Sequence, residues 1–65
     1  MALRWNITIH NCKDKHQAVG AADQFFEDWL LFPGMPNGKK VRLQRDGTFY
    51  DVWHEDKHIH VREAD

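Results

Sequence analysis

The chain opens with a strict alternation of apolar and polar residues that runs from Leu3 to His10. Apolar side chains stand at positions 3, 5, 7 and 9, and polar side chains stand at the even positions between them. Successive residues of a β-strand point to opposite faces of a sheet, so this period of two predicts a strand with one buried face.

A helix is predicted next. Asp14, followed three residues later by Gln17, resembles a capping box, and we expect the helix to run to about Phe32. Its apolar residues recur at spacings of three and four, which is typical of a helix with one buried side. These residues are Ala18, Ala22, Phe25, Phe26, Trp29 and Leu30.

The segment from Phe32 to Gly38 holds both prolines and two of the four glycines, which predicts a loop that reverses the chain. After it, Asp46-Gly47 is a strong signal for a two-residue hairpin turn, and Glu55-Asp56 is a weaker one. The remaining residues therefore predict three strands, at about 39–45, 48–54 and 57–62.

The two predicted turns set a register for the last three strands. The first turn places Val41 opposite Val52 and Leu43 opposite Tyr50, and the second places Val52 opposite Ile59 and Tyr50 opposite Val61. Every aliphatic residue then lies on one side. We predict a single α+β domain over residues 1–65, a two-layer βαβββ arrangement with one helix on a mainly antiparallel four-stranded sheet. The position of the first strand in the sheet is left open.

The other side of the predicted sheet, here called the open face, is basic and aromatic. It carries Lys40, Arg42, Gln44, Phe49, Asp51, Trp53, His58, His60 and Arg62, and the first strand adds Arg4, Asn6, Thr8 and His10. The register groups these residues in three rows: Lys40 with Trp53 and His58, Arg42 with Asp51 and His60, and Gln44 with Phe49 and Arg62. Arg42 and Asp51 are expected to form an ion pair.

Charge is unevenly distributed between the open face and the rest of the chain. Nine Lys and Arg against ten Asp and Glu give a net charge of -1, which lacks the basic excess of a dedicated nucleic-acid module. Four basic residues and one acidic residue give the open face a formal +3, which leaves -4 for the remainder. The domain is expected to be electrostatically polarised.

One helix covers only one face of a sheet, so the open face must stay in water or bind something. We interpret the chain as a small non-enzymatic binding protein, a regulator or inhibitor of the kind found among small phage proteins, which occludes a protein partner. The expected contact residues are Lys40, Arg42, Phe49, Trp53, His58, His60 and Arg62, with Phe49 and Trp53 as anchors.

Three alternatives remain for the open face. Exposed aromatics among cations would also suit single-stranded nucleic acid. A second copy of the chain could cover the same face or an open sheet edge. In the third alternative nothing binds, and Trp53 and Phe49 pack only on the stems of Lys40 and Arg62.

Catalysis and metal binding are weaker hypotheses. A ribonuclease would use His58 or His60 as acid or base and an arginine on the phosphate. Cys12, just before the predicted helix, is a remote candidate nucleophile. The spacing of Cys12 and the five histidines matches no standard zinc pattern, so we assign no catalytic residue, no metal and no cofactor.

An acidic docking surface or nucleic-acid mimic is a further weak alternative, based on Asp23, Glu27 and Asp28 of the helix. A composition of 42% hydrophobic and 29% charged residues is typical of a globular protein. With one cysteine, no signal-peptide pattern and no long apolar stretch, the chain is expected to be cytoplasmic and to have no membrane partner.

Overall fold

A computed structural model describes residues 5–64 of the chain. Its elements are β1 (Asn6–His10), α1 (Lys15–Leu31), β2 (Val41–Arg45), β3 (Thr48–Glu55) and β4 (His58–Ala64). The sheet order is β1-β4-β3-β2, with β1 parallel to β4 and the other pairs antiparallel. The predicted α+β fold is thereby confirmed, and β1 takes the edge position beside β4.

Leu3 and Arg4 of the predicted first strand lie outside the described residues. In the part of the chain that the structure describes, no helix combines the length and the apolar character that a membrane span requires.

Helix α1 begins where the capping signal predicted. The backbone N–H of Gln17 donates to Asp14 Oδ1 at 3.1 Å. The Gln17 side chain turns instead to the sheet, where Nε2 donates to Asp46 Oδ2 at 3.2 Å and Oε1 accepts the Tyr50 hydroxyl at 3.1 Å. The Gln17 side chain therefore links the start of the helix to the β2–β3 hairpin by hydrogen bonds.

The core lies between α1 and one face of the sheet. Small side chains on the helix let its backbone approach the sheet closely, and Phe25 fills the space toward the C-terminal end. Burial raises the pKa of Tyr50, which keeps the phenol protonated as the donor to Gln17. The buried apolar residues are Ala18, Ala21, Ala22, Phe25, Tyr50, Val52, Ile59 and Val61.

The first predicted hairpin is confirmed in turn and register. Val41 pairs with Val52 and Leu43 pairs with Tyr50. Asp46 and Gly47 both have positive φ, of 50° and 80°, as a type I′ turn requires.

The second predicted hairpin has the wrong register. The turn residues are Asp56 and Lys57, with φ of 49° and 64°, rather than Glu55 and Asp56. Val52 consequently pairs with Val61, not Ile59, and Ile59 pairs with His54. A slip of two residues leaves every side chain on its original face, so the hydrophobic pattern fits both registers equally well.

Lys57 is expected to weaken this second turn. A non-glycine residue in the left-handed region costs roughly 1 kcal/mol, so Lys57→Gly should raise the free energy of unfolding by about 0.5–1 kcal/mol. Urea denaturation measures the change. Lys13, which is exposed and does not have a positive φ, is the matched control. Lys13→Gly should give no gain, and equal gains in both variants would contradict the argument.

Candidate functional site

The open face is the side of the sheet that α1 leaves uncovered. Trp53, Phe49 and Asp51 lie on β3 in the middle, Arg42 on the edge strand β2, and Lys40 directly before β2. His58, His60 and Arg62 lie on β4. Strand β1 adds Asn6, Thr8 and His10, as its alternation predicted.

Two of the predicted contacts across this face are present. Lys40 Nζ lies over the Trp53 ring, 5.2 Å from its centroid, in a cation–π contact. Arg42 Nε lies 3.3 Å from Asp51 Oδ1, the predicted ion pair.

The predicted rows that involve β4 are corrected by the register of the second hairpin. His60, not His58, is opposite Trp53, and Arg62, not His60, is opposite Asp51. Ala64 takes the place beside Phe49 that was predicted for Arg62.

Four rings form a continuous cluster on the open face, here called the aromatic ridge: His10, Trp53, His58 and His60. The centroids of Trp53 and His60 are 5.2 Å apart with an interplanar angle of 8°. His60 is also stacked on His58 at 4.7 Å and on His10 at 5.2 Å. The ridge therefore crosses three strands, with His60 at its centre.

Side-chain hydrogen bonds join the β1 and β4 residues of this face. His10 Nε2 and His60 Nδ1 are 3.0 Å apart, so one ring donates its proton and the other accepts it. The Thr8 hydroxyl pairs with His58 Nε2. His10 was not among the predicted contact residues, because the position of β1 was unknown. In the sequence, the only indication that His10 lies on the open face was its place among the polar residues of the alternating first strand.

The two aromatic anchors differ in exposure. Phe49 is 43% exposed, as expected for a contact residue. Trp53 is half-buried, which corrects the expectation that both rings are exposed. Lys40 approaches the indole from the β2 side, and His60 stacks on it from the β4 side. A base could stack on Trp53 only by displacing one of these neighbours.

Charged side chains of both signs border the aromatic ridge, with a small excess of positive charge. Among the residues that the structure describes, the open face holds Lys40, Arg42 and Arg62 against Asp51 and Glu55, a formal +1. The Asp51 side chain is only 15% exposed, whereas that of Arg42 is 59% exposed. Glu55 is exposed beside His58 at one end of the face, so the positive excess lies in the part of the face that holds Lys40, Arg42 and Arg62.

The environment of His60 predicts a pH-dependent stability. Burial, and next the neighbouring His58 and His10, lower the pKa of His60 from its ordinary value of 6.5. As the pH falls, the unfolded chain binds this proton before the folded protein does. The contribution of neutral His60 to the free energy of unfolding is therefore fully present above about pH 6.5. It is lost as the pH falls through the folded-state pKa.

Urea denaturation at pH 7.5 and 5.5 measures this effect. The wild type should lose stability between the two pH values, and His60→Gln should lose less. His16→Gln, on an exposed helix position, should behave as the wild type. An unchanged pH dependence in His60→Gln would contradict the assignment.

The surroundings of the Cys12 thiol do not favour its role as a nucleophile. Burial raises the pKa of the Cys12 thiol, the opposite of what activates a cysteine nucleophile. The thiol contacts the carbonyl oxygens of His10 at 3.5 Å and Val61 at 3.9 Å. Within residues 5–64, no group of three or more His, Cys, Asp or Glu side chains is arranged to hold a metal ion.

His54 has a role that the sequence pattern did not indicate. It is 5% exposed and lies on the core face, where its ring contacts Trp5, Phe25 and Trp29. Nε2–H donates to the Met35 carbonyl at 3.0 Å, and Nδ1 has no partner. The His54 carbonyl also accepts the Gly38 N–H at 2.8 Å. Through these two hydrogen bonds, His54 links the loop after α1 to the sheet.

Comparisons with protein-family models, with curated proteins and with solved structures give no match to this chain.

Proposed function

We propose that this chain is a non-enzymatic binding protein that docks an acidic surface of a partner protein on its open face, and thereby regulates or inhibits that partner. The observation that carries the proposal is the aromatic ridge on an uncovered sheet face, bordered by Lys40, Arg42 and Arg62. Aromatic and arginine side chains are enriched at the energetic centres of protein interfaces.

The ridge favours a protein partner because its side chains are already ordered against one another. Trp53 is held between Lys40 and His60, and His60 is hydrogen-bonded to His10. Rings that are fixed before binding lose little conformational entropy when a partner covers them. The cations at the border are suited to carboxylates on the partner.

Single-stranded nucleic acid is the competing function, and the structure offers it fewer stacking positions. Open-sheet modules that bind RNA present rings on which bases stack. Both sides of Trp53 are occupied, which leaves Phe49 as the most exposed aromatic of the face.

A charge-reversal pair tests the proposed function. Immobilised wild type, Arg62→Glu and Lys15→Glu are each exposed to an extract of the source cells, and bound proteins are identified by mass spectrometry. Both positions are exposed and both are basic, but Lys15 lies at the start of α1. One protein should bind the wild type and Lys15→Glu and be lost, by at least about tenfold, with Arg62→Glu.

An amide NMR titration with short mixed-sequence RNA and DNA completes the test. Shifts at Lys40, Arg42, Phe49, Trp53 and Arg62 that fade as salt is raised would assign the face to nucleic acid and overturn the proposal. If the immobilised wild type and both immobilised variants retain the same proteins, the proposal is also overturned.

A further inference from the structure

An apolar surface lies at the end of α1 and the start of the following loop. Leu30, Leu31 and Phe32 are consecutive in the chain and are 56%, 72% and 74% exposed. Leu31 and Phe32 also line a groove with Pro33, Met35 and Pro36. These six residues are called the helix-end patch. Since α1 covers the opposite side of the sheet, the patch is separate from the open face.

The helix-end patch is held in place by the sheet. The Met35 carbonyl accepts the His54 side chain, and Gly38 donates to the His54 carbonyl. Phe32 N–H closes the last helical turn on the Asp28 carbonyl at 2.9 Å. A contiguous exposed apolar surface on an ordered segment often marks an interaction site, whereas apolar residues that are exposed singly do not.

Opposite charges border the patch. Asp28 lies one turn before Phe32 on the helix, and Lys39 lines the groove beside Leu31 and Phe32. Both are exposed, and among residues 5–64 the ion pair found is Arg42 with Asp51, so neither charge is paired with another described residue.

We propose that two copies of this chain associate through their helix-end patches, about a two-fold axis that sets Asp28 of each copy near Lys39 of the other. A two-fold interface brings a surface against itself, so an apolar centre is covered by its own copy, and charges at the border find partners when both signs are present. The helix-end patch has all three. A chain this short buries only about 60% of the surface that its unfolded form exposes, so covering the patch adds to its stability. The dimer leaves the open face accessible.

Sedimentation equilibrium over a range of micromolar to millimolar concentrations tests the dimer. The wild type should approach twice the 7.7 kDa mass of one chain. Leu31→Asp should weaken association by about 30-fold or more, because the interface would lose an apolar contact and bury a carboxylate. Phe49→Asp makes a comparable change on the open face and should associate as the wild type does.

A charge exchange tests the orientation of the two copies. Asp28→Lys and Lys39→Asp should each weaken association by a few fold, and the double variant should recover the wild-type affinity. A monomeric wild type over the whole range, a Leu31→Asp variant that associates normally, or a double variant weaker than both singles would overturn the proposal. Dissociation by Phe49→Asp alone would place the dimer on the open face instead, and would overturn it as well.

Discussion

Phe25→Ala is expected to unfold the protein or leave it barely folded at room temperature. The Phe25 ring is 1% exposed and lies among Ala21, Ala22 and the buried residues of β3 and β4. Truncating a buried phenylalanine costs about 3–5 kcal/mol, from the lost apolar contacts and the cavity that remains. At roughly 0.05–0.15 kcal/mol per residue, the whole free energy of unfolding of a domain this size is of the same order.

Urea denaturation followed by circular dichroism measures the loss. Phe49→Ala is the matched control, because the same substitution removes a ring that is 43% exposed. It should cost less than about 1 kcal/mol. Equal losses in the two variants would mean that the core does not lie between α1 and the sheet.

His54→Ala is expected to produce the second largest loss, about 2–3 kcal/mol. It empties the space among Trp5, Phe25 and Trp29, and it leaves the Met35 carbonyl without its donor. The end of α1 and the loop after it should loosen together, because this hydrogen bond joins them to β3.

Two further variants separate the causes of that loss. His54→Phe keeps a ring in the core and removes both the donor to Met35 and the unpartnered Nδ1, so it should cost less than His54→Ala. His16→Ala makes the same change at an exposed position and should stay within about 0.5 kcal/mol of the wild type. A His54→Ala variant as stable as His16→Ala would refute the anchoring role of His54.

The local signals of the sequence predicted the elements well. The alternation from Leu3, the cap at Asp14 and the turn at Asp46-Gly47 each depend on neighbouring residues, and each is present wherever the structure describes it. The assignment of residues to the two faces was also correct, since it follows from the period of each strand.

The second turn shows where local signals became insufficient. Turns at Glu55-Asp56 and at Asp56-Lys57 differ by two residues in register, and both keep the aliphatic side chains buried. Asp56 tolerates a positive φ, as Asp46 does in the first hairpin, and that similarity was the available clue. The contacts between β3 and β4 depended on this choice, so the predicted β4 partners of Trp53 and Asp51 were wrong, whereas their predicted partners on the β2 side, Lys40 and Arg42, are present.

The sequence by itself determined the fold class, the buried and open faces and the polarity of each, because hydrophobic periodicity and turn chemistry act over a few residues. Only the tertiary structure decided that β1 lies parallel to β4, which brings His10 to His60, and that His54 is buried under Trp5 and Trp29. These contacts join segments more than twenty residues apart in the chain. Their pairing is set by how helix and sheet fill one small core together, and no local pattern records it.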